Sequence, residues 1–509
     1  MTAKAPNILI VMADQMAPAF LPFYGHALTR APNMQALAQS GVVFDSAYCN
    51  SPLCSPSRAS FMSGLLPSRT RVYDNGAEFA ADVPTFAHCL RLRGYQTVMS
   101  GKMHFCGPDQ LHGFEERLTT DIYPADFNWT PDWDHPEHRP SWYHNMSSVR
   151  QAGVCVRTNQ LDFDDEAAFM AERAIFDIAR SRDRRPFLLV ASFSHPHDPF
   201  AVPQRYWDLY RDQDIDMPVP AIAPEALDPH SRRLRHVCNM DAEPVTKAQV
   251  RNARHAYYGA IAYIDDQLGR LTGALRAAGL AEDTIVVLTS DHGEMLGERG
   301  LWYKMSFFEG ASRVPLVIAS PGRFAPRRVA ASVSLVDLMP TLVDISGGNA
   351  QSLGIAIDGR SLAPHLGGGA GHDEAIAEYL AEGSIAPMVM IRRGAFKFIH
   401  SPADPDLLFD LERDPGERYN LAGKAECAEL VAAFRAEVAK RWDLKALDAE
   451  VRASQRRRRV AGAALNEGEI RAWDFQPFRD AARQYVRNSM HLDDLEAMAR
   501  FPPVGRPSN

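Results

Sequence analysis

Cysteine is sparse in this chain, and no apolar run is long enough to interest a lipid bilayer. The seven cysteines (Cys49, Cys54, Cys89, Cys106, Cys155, Cys238 and Cys427) are odd in number and lack metal-type spacing. That excludes a disulfide framework and a cysteine zinc site, and it fits a reducing compartment. With no bilayer-length stretch, and with an N-terminus that runs straight into Asn7-Ile-Leu-Ile-Val-Met without the regions of a secretory signal, the expected location is cytoplasmic, with no membrane partner. Positive charge is in deficit as well: 55 Lys and Arg against 63 Asp and Glu give a net charge of -8, which argues against a nucleic-acid partner. The one basic block, residues 456–459, reads as a solvated or subunit-contacting face. No G-x-G-x-x-G, P-loop or internal repeat occurs, and the G-x-S-x-G elbow of a Ser-His-Asp hydrolase is missing.

What is present is a folded composition, 46% hydrophobic and 23% charged over 509 residues, enough for two or three domains. Short apolar runs at residues 8–12, 42–48, 96–99, 187–193, 284–289 and 314–320 read as buried strands. Helical patterns fall between them at 33–40, 85–93, 164–181 and 306–312, and along a long helix capped by Thr246. Residues 105–163 read as a long functional loop rich in Pro, Asp and aromatics. The expected fold is α/β: a large mixed, mostly parallel sheet flanked by helices over residues 1–370, with its site along one sheet edge. A smaller antiparallel α+β domain follows over 371–445, with strands at 388–393, 396–400 and 407–411 and a helix at 425–442. An extended tail, 446–509, is poor in core of its own and is expected to wrap the body or a neighbouring subunit.

Each main strand end carries chemistry. Asp14-Gln15 follows the first strand, Gly101-Lys102-Met103-His104 the third, His195-Pro196-His197-Asp198 the next, and Ser290-Asp291-His292-Gly293-Glu294 the one after, with Lys304 beyond. Asp14, Asp291 and His292 form a plausible divalent-metal set, with Gln15 as a neutral oxygen donor. At Cys54-Ser55-Pro56-Ser57-Arg58, Pro56 favours an extended approach at Cys54 and Ser57 can cap the helix behind it. First-turn amides and Arg58 would then make an anion cradle. Two readings stand at this point: a cysteine nucleophile, or a buried cysteine before an ordinary helix.

Taken together, Asn7-Ile-Leu-Ile-Val-Met-Ala-Asp, Cys54-x-Pro56-x-Arg58, Gly101-Lys102-x-His104, Asp291-His292-Gly293, Lys304 and Phe308-Glu309-Gly310-x-x-Arg313-Val314-Pro315-Leu316 resemble the formylglycine sulfatases of the alkaline phosphatase superfamily. Ser63-Gly64, the run from Gly107 to Asp126, His195-Pro-His-Asp-Pro, Trp473-Asp474-Phe475-Gln476-Pro477 and Leu492-Asp-Asp-Leu-Glu extend the likeness, over nearly the whole chain, to the bacterial choline sulfatases. The resemblance implies that a maturation enzyme oxidises Cys54 to formylglycine, whose hydrate attacks sulfur with one hydroxyl and expels sulfate with the other. It implies a divalent metal on Asp14, Gln15, Asp291, His292 and residue 54. Gln15 and His292 stand where many sulfatases have an aspartate and an asparagine or similar donor; fewer carboxylates and one imidazole soften the site, so manganese is compatible beside calcium, the first choice. Arg58 would orient the hydrate, Lys102 and Lys304 would hold the sulfuryl oxygens, and His104 would take a proton. His197 would lie by the leaving oxygen.

The implied substrate is choline-O-sulfate. A trimethylammonium head donates no hydrogen bonds and calls for aromatic faces and a carboxylate. Trp129, Trp142, Tyr143 and His144 of the insertion, Glu382, and Asp493 and Asp494 of the tail are the candidates, though the tryptophans would equally serve as a small core of the insertion. The resemblance further implies a homo-oligomer, a dimer of dimers, in which one subunit's tail reaches its neighbour's pocket. A phosphonate monoester or phosphodiester hydrolase is the alternative on the same fold. A noncatalytic binder is the alternative if Cys54 stays a thiol.

Overall fold

The computed structural model describes residues 5–219, 222–223, 226–468, 492–500 and 502. In chain order the strands are β1 (Asn7–Asp14), β2 (Val42–Tyr48), β3 (Gln96–Gly101), β4 (Glu116–Arg117), β5 (Gly153–Cys155), β6 (Phe187–Pro196), β7 (Ala201–Pro203), β8 (Thr284–Ser290), β9 (Arg313–Ala319), β10 (Arg327–Ser334), β11 (Ala375–Tyr379), β12 (Met388–Arg393), β13 (Phe396–Ser401) and β14 (Asp404–Asp410). Eight of them form one sheet in the order β10-β2-β9-β8-β1-β6-β3-β4, in which β9 alone runs against the others. This is the mixed, mostly parallel sheet expected from the sequence.

The central strand β1 is buried along its whole length, which is why it reads as an unbroken apolar run. Its residues alternate between two cores. Leu9, Val11 and Ala13 pack with the helices Asn159–Arg180 and Lys247–Ala277, whereas Ile8, Ile10 and Met12 pack with Cys54–Ser63, Phe86–Leu92 and Leu338–Ile345. Parallel register lines up the strand ends: Ala13 lies opposite Ser290, Asp14 opposite Pro196, and Gly101 opposite Ser192. Hence residues 14, 102, 197 and 291 all leave the sheet at its C-terminal edge, where open α/β sheets bind their ligands.

Strands β11 to β14 form the antiparallel meander, with one more strand than the sequence pattern revealed. The helix Ala428–Arg441 covers one face, with Val431, Phe434 and Val438 on Val389, Ile391, Phe398 and Leu408. The other face, through Ala377, Met390, Ile399 and Phe409, joins the main core.

Several local expectations are corrected. Cys54 is the first residue of its helix, not part of an extended approach, and Ser57 does not cap it: the Ser57 hydroxyl donates to the carbonyl of Asp291. Pro56 is tolerated because first-turn amides have no intrahelical acceptor to lose. The helix expected from 164 begins at Asn159, where the Thr158 side chain accepts from the Leu161 amide. The expected loop 105–163 holds a helical turn at Ser147–Arg150 and strand β5, which pairs with β7. The helix expected at 306–312 is reduced to Glu309–Ser312. The tail is not simply extended, since Leu444–Leu465 is a continuous helix. The motif Trp473 to Pro477 lies outside the described residues.

Candidate active site

Cys54 sits at the start of its helix with 2% of its surface exposed. Its Sγ is 3.2 Å from His292 Nε2, 3.6 Å from Lys102 Nζ and 3.9 Å from Asp14 Oδ1. Burial, with the charge of Asp14 adding to it, pushes the thiol up to about 11 against the pull of Lys102 and Lys304. The unmodified sulfur is therefore a neutral thiol near pH 7, and only a thiolate is an effective nucleophile.

Arg58, one turn along, is fully buried and uses its whole guanidinium. Nε donates to Asp291 Oδ2 at 2.8 Å and Nη2 to Asp14 Oδ2 at 3.1 Å, while Nη1 reaches the Lys102 carbonyl at 2.6 Å and Ser192 Oγ at 2.8 Å. Lys102 also pairs with Asp14 and lies over the Tyr123 ring, 4.0 Å from its centroid. Burial alone would raise the Asp14 carboxyl, but Lys102, His197 and Arg58 outweigh it and hold Asp14 well below the usual carboxylate range.

Lys304 Nζ donates to Gln15 Oε1 and to His197 Nε2, both at 2.7 Å. His197 Nδ1 faces the Asp198 carbonyl at 2.7 Å. Burial and the charge of Lys304 push His197 well below its ordinary value, whereas Cys54, Asp198 and Asp14 raise Lys304 despite its burial, so the shared proton stays on lysine. His104, at a left-handed φ of 54°, is pushed down to about 3 by burial and by Lys102, and neither ring nitrogen has a hydrogen-bond partner among the described residues. It is a neutral imidazole at neutral pH. Gln15, also left-handed at φ 64°, donates from its side chain to Glu294 and from its amide to Asp291 Oδ1 at 3.1 Å.

Ligand-capable atoms of Asp14, Cys54, Asp291 and His292 lie within 4.8 Å of one another. His292 Nδ1 faces the Gly293 carbonyl at 3.0 Å, which leaves the Nε2 lone pair for the cluster, 3.7 Å from both Asp14 Oδ1 and Asp291 Oδ2. Two carboxylates, an imidazole lone pair and a sulfur position fit a divalent cation. Gln15 borders this set, but its oxygen already accepts from Lys304.

Beyond the cation-rich centre lies an aromatic wall. Trp129 stands edge-on to His104 with centroids 5.7 Å apart, and nearly parallel to Trp142 at 6.3 Å. Trp142 in turn meets Tyr143 at 4.5 Å, and His144 stacks on Tyr303 at 4.5 Å and lies 6.0 Å from His197. Glu382 is buried with Oε2 unpartnered among the described residues, and burial, reinforced by Asp74, raises its carboxyl to about 7. From the tail, the helix Leu492–Ala499 brings Asp493 within the same chain to accept from Asn145 Nδ2. Asp494 is half-buried beside it, with no hydrogen bond to the cluster among the described residues.

Local sequence pattern missed the residues that hold these groups in place. Asp121 accepts from the Met103 and His104 amides at 2.9 and 2.7 Å, and Asn75 Oδ1 accepts from the Ser55 amide at 3.0 Å. Glu294 takes the amides of Leu296 and Tyr303 as well as the Gln15 side chain. Glu294 stood in a noted motif, whereas Asn75 carries no signal short of the fold.

Residues 6–348 match the family described as Sulfatase, residues 297–443 match N-sulphoglucosamine sulphohydrolase, C-terminal, and residues 449–501 match Choline sulfatase enzyme C terminal. A choline-sulfatase of Rhizobium meliloti is 48% identical over 99% of both chains. Among solved structures, the phosphonate monoester hydrolase of Agrobacterium radiobacter is 30% identical at a TM-score of 0.69, covering 88% of this chain and 96% of that one. A putative sulfatase of Bacteroides thetaiotaomicron superposes at a TM-score of 0.65 with 24% identity, over 86% of this chain and 92% of that one.

Proposed function

The chain belongs to the sulfatase family and is a sulfuric ester hydrolase, and from that premise we propose that its substrate is choline-O-sulfate, cleaved to choline and sulfate. The observation that carries this reading is the neighbourhood of the anion-binding centre: the Trp129 and Trp142 faces, and a buried carboxylate, Glu382, with an oxygen to spare among the described residues. A quaternary ammonium makes its best contacts with π faces and a nearby negative charge. The choline-sulfatase that this chain matches along its length supports the same substrate.

Each group has a part. Lys102 and Lys304 hold the sulfuryl oxygens, and Arg58 fixes residue 54 against the two aspartates. The proton on Lys304, shared with His197, goes to the departing oxygen, because choline is a poor leaving group as an alkoxide. His104, a neutral imidazole, takes the proton released at residue 54. Conversion of Cys54 to formylglycine would supply a hydrated aldehyde in place of a thiol that holds its proton. A divalent cation on Asp14, Asp291 and His292, calcium or manganese, would supply charge to the sulfuryl oxygens. Thorough chelation is expected to abolish turnover and lower the unfolding temperature, and return of one metal at a time should restore both. Full activity in metal-free protein would remove the cation from the scheme.

The raised Glu382 carboxyl gives a signed pH dependence. Below about 7 it is protonated and offers the onium no charge, so KM for choline sulfate should fall as pH rises through about 7. The same shift costs stability: from roughly pH 4.3, where an unfolded glutamate ionises, up to about 7, the folded state retains a proton that the unfolded chain has lost. Glu294 is also raised to about 7, so the readout is the difference between wild type and Glu382→Gln. Glu382→Gln or Trp129→Ala should damage choline sulfate turnover far more than aryl sulfate turnover. Equal losses would refute the onium pocket.

A second reading, phosphonate monoester hydrolysis, rests on the Agrobacterium structure, because the same cationic cradle suits a phosphoryl centre. Steady-state rates on choline sulfate, an aryl sulfate and a phosphonate monoester decide between them. A large preference for the phosphonate would overturn the proposed substrate.

A further inference from the structure

The helix Leu444–Leu465 packs Leu447 and Val451 against Tyr73, Trp133 and Leu380, and beyond them it turns polar side chains toward the insertion. Arg458, 8% exposed, grips Asp74 with both ends of its guanidinium at 2.6 and 2.7 Å and donates to Thr130 Oγ1 at 2.8 Å. One turn earlier, Gln455 Oε1 accepts from the Trp133 amide at 2.9 Å. Arg452 donates to the carbonyls of Trp133 and Ile385, each at 2.7 Å. Trp133 closes the circuit, its indole N–H donating to the Ala381 carbonyl at 3.0 Å. A single helix face thus holds Thr130, next to Trp129, directly, and reaches Ala381, next to Glu382, through Trp133.

Asp74 lies in a turn with two further contacts. Its neighbour Asn75 accepts from the Ser55 amide beside Cys54. Gly76 packs so closely on the Trp129–Thr130 backbone that a Cβ would come within 2.8 Å of Trp129 C and Thr130 N. The hub that Arg458 clamps therefore touches both the helix carrying residue 54 and the backbone carrying Trp129. All three helix residues lie beyond residue 348, where the match to the Sulfatase family ends.

We infer that Arg458, with Arg452 and Gln455, is a positioning device for substrate selection: the helix sets the spacing between Trp129 and Glu382 and ties it to the start of the Cys54 helix. The inference rests on the onium pocket proposed above. A buried, bidentate guanidinium suits the task because its fork fixes direction as well as distance, which a lysine cannot do. No member of the trio touches the reacting atoms, and none takes part in the Asn75–Ser55 bond at the Cys54 helix, so their loss changes where the onium is held far more than it changes the sulfuryl chemistry.

The test compares choline sulfate with 4-nitrophenyl sulfate, which has no onium. Arg458→Met should raise KM for choline sulfate on the order of ten- to a hundredfold while kcat, and KM for the aryl sulfate, stay within about twofold. Because Arg458→Met strands a buried carboxylate and could harm folding, the charge-balanced pair Asp74→Asn with Arg458→Met is the companion. It should regain thermal stability yet keep the KM defect, and Arg458→Lys should rescue only part of it. Arg452→Ala, at a partly exposed position, should shift KM in the same direction. Equal losses on both substrates, or a wild-type KM in the balanced pair, would overturn the inference and leave the substrate assignment standing. A wild-type enzyme with no preference for choline sulfate would instead bring down the substrate assignment, and this inference with it.

Discussion

Cys54→Ala is expected to abolish sulfate ester hydrolysis, by a factor on the order of ten-thousand or more, and to leave the fold intact. The expected harmlessness to folding follows from position. Residue 54 opens a helix, alanine is the best helix former, and the deletion removes one atom that makes no ion pair. The expected loss follows from the surroundings. Lys102, His292 and Asp14 converge on this one side chain, Arg58 braces Asp14 and Asp291 beside it, and no other described cysteine joins the cluster formed by Asp14, Asp291 and His292. The companion measurement is peptide mass spectrometry across residues 54–58 in protein from its own host, where a peptide lighter by the difference between a thiol-bearing methylene and an aldehyde is expected. Substantial turnover by Cys54→Ala would discard residue 54 as nucleophile, and a peptide that keeps its sulfur would discard the modification.

Arg58→Met should cost both stability and activity. Among the described residues its guanidinium is the only group that meets Asp14, Asp291, Ser192 and the Lys102 carbonyl at once. Without it, two buried carboxylates are left with Lys102 as their nearest cation, and breaking such a buried pair typically costs about 3–5 kcal/mol. Arg58→Lys should recover little, since one ammonium cannot serve two carboxylates in a planar fork. Asp14 would lose part of the charge that keeps it well below the usual carboxylate range, so the deficit relative to wild type should shrink in acid, as that carboxylate takes up its proton. Denaturant unfolding at two pH values checks this, and an Arg58→Met protein of wild-type stability would contradict it.

How much could be read from the chain depended on whether a residue acts locally. The strands carrying Asp14, Lys102, His197 and Asp291 announced themselves because a strand buried on both faces must be apolar and its polar end must then be noticed. Strand β10 passed unseen because it is the sheet's edge, where Arg327 and Arg328 face solvent on one flank. The helix Leu444–Leu465 was hidden for a different reason. Its buried positions, Leu447, Val451, Gln455, Arg458 and Gly462, recur at helical steps, but three of the five are not hydrophobic side chains, so the stripe broke and the arginine run masked it. Arg458 meets its partner 384 positions away. No window of sequence contains that ion pair. The same holds for Asn75 and Ser55, whose bond becomes meaningful only after the helix start is known. The arginine block, expected to be solvated or at a subunit contact, instead pairs in part with Asp74, Asp132 and Asp134 of its own chain.

With 2% of its surface exposed, Cys54 is sealed in the finished protein by partners drawn from residues 14 to 292, and the clamp of Arg458 comes from still later in the chain. The oxidising enzyme that the proposed conversion requires would meet a closed door once those partners have assembled. On the proposed conversion of Cys54, activation would be a matter of timing during biosynthesis, since residue 54 leaves the ribosome more than two hundred positions before His292 and about four hundred before Arg458. The fraction of active molecules in a foreign host would be set by a race between the maturation enzyme and folding, and slower translation or a lower growth temperature would favour the active form.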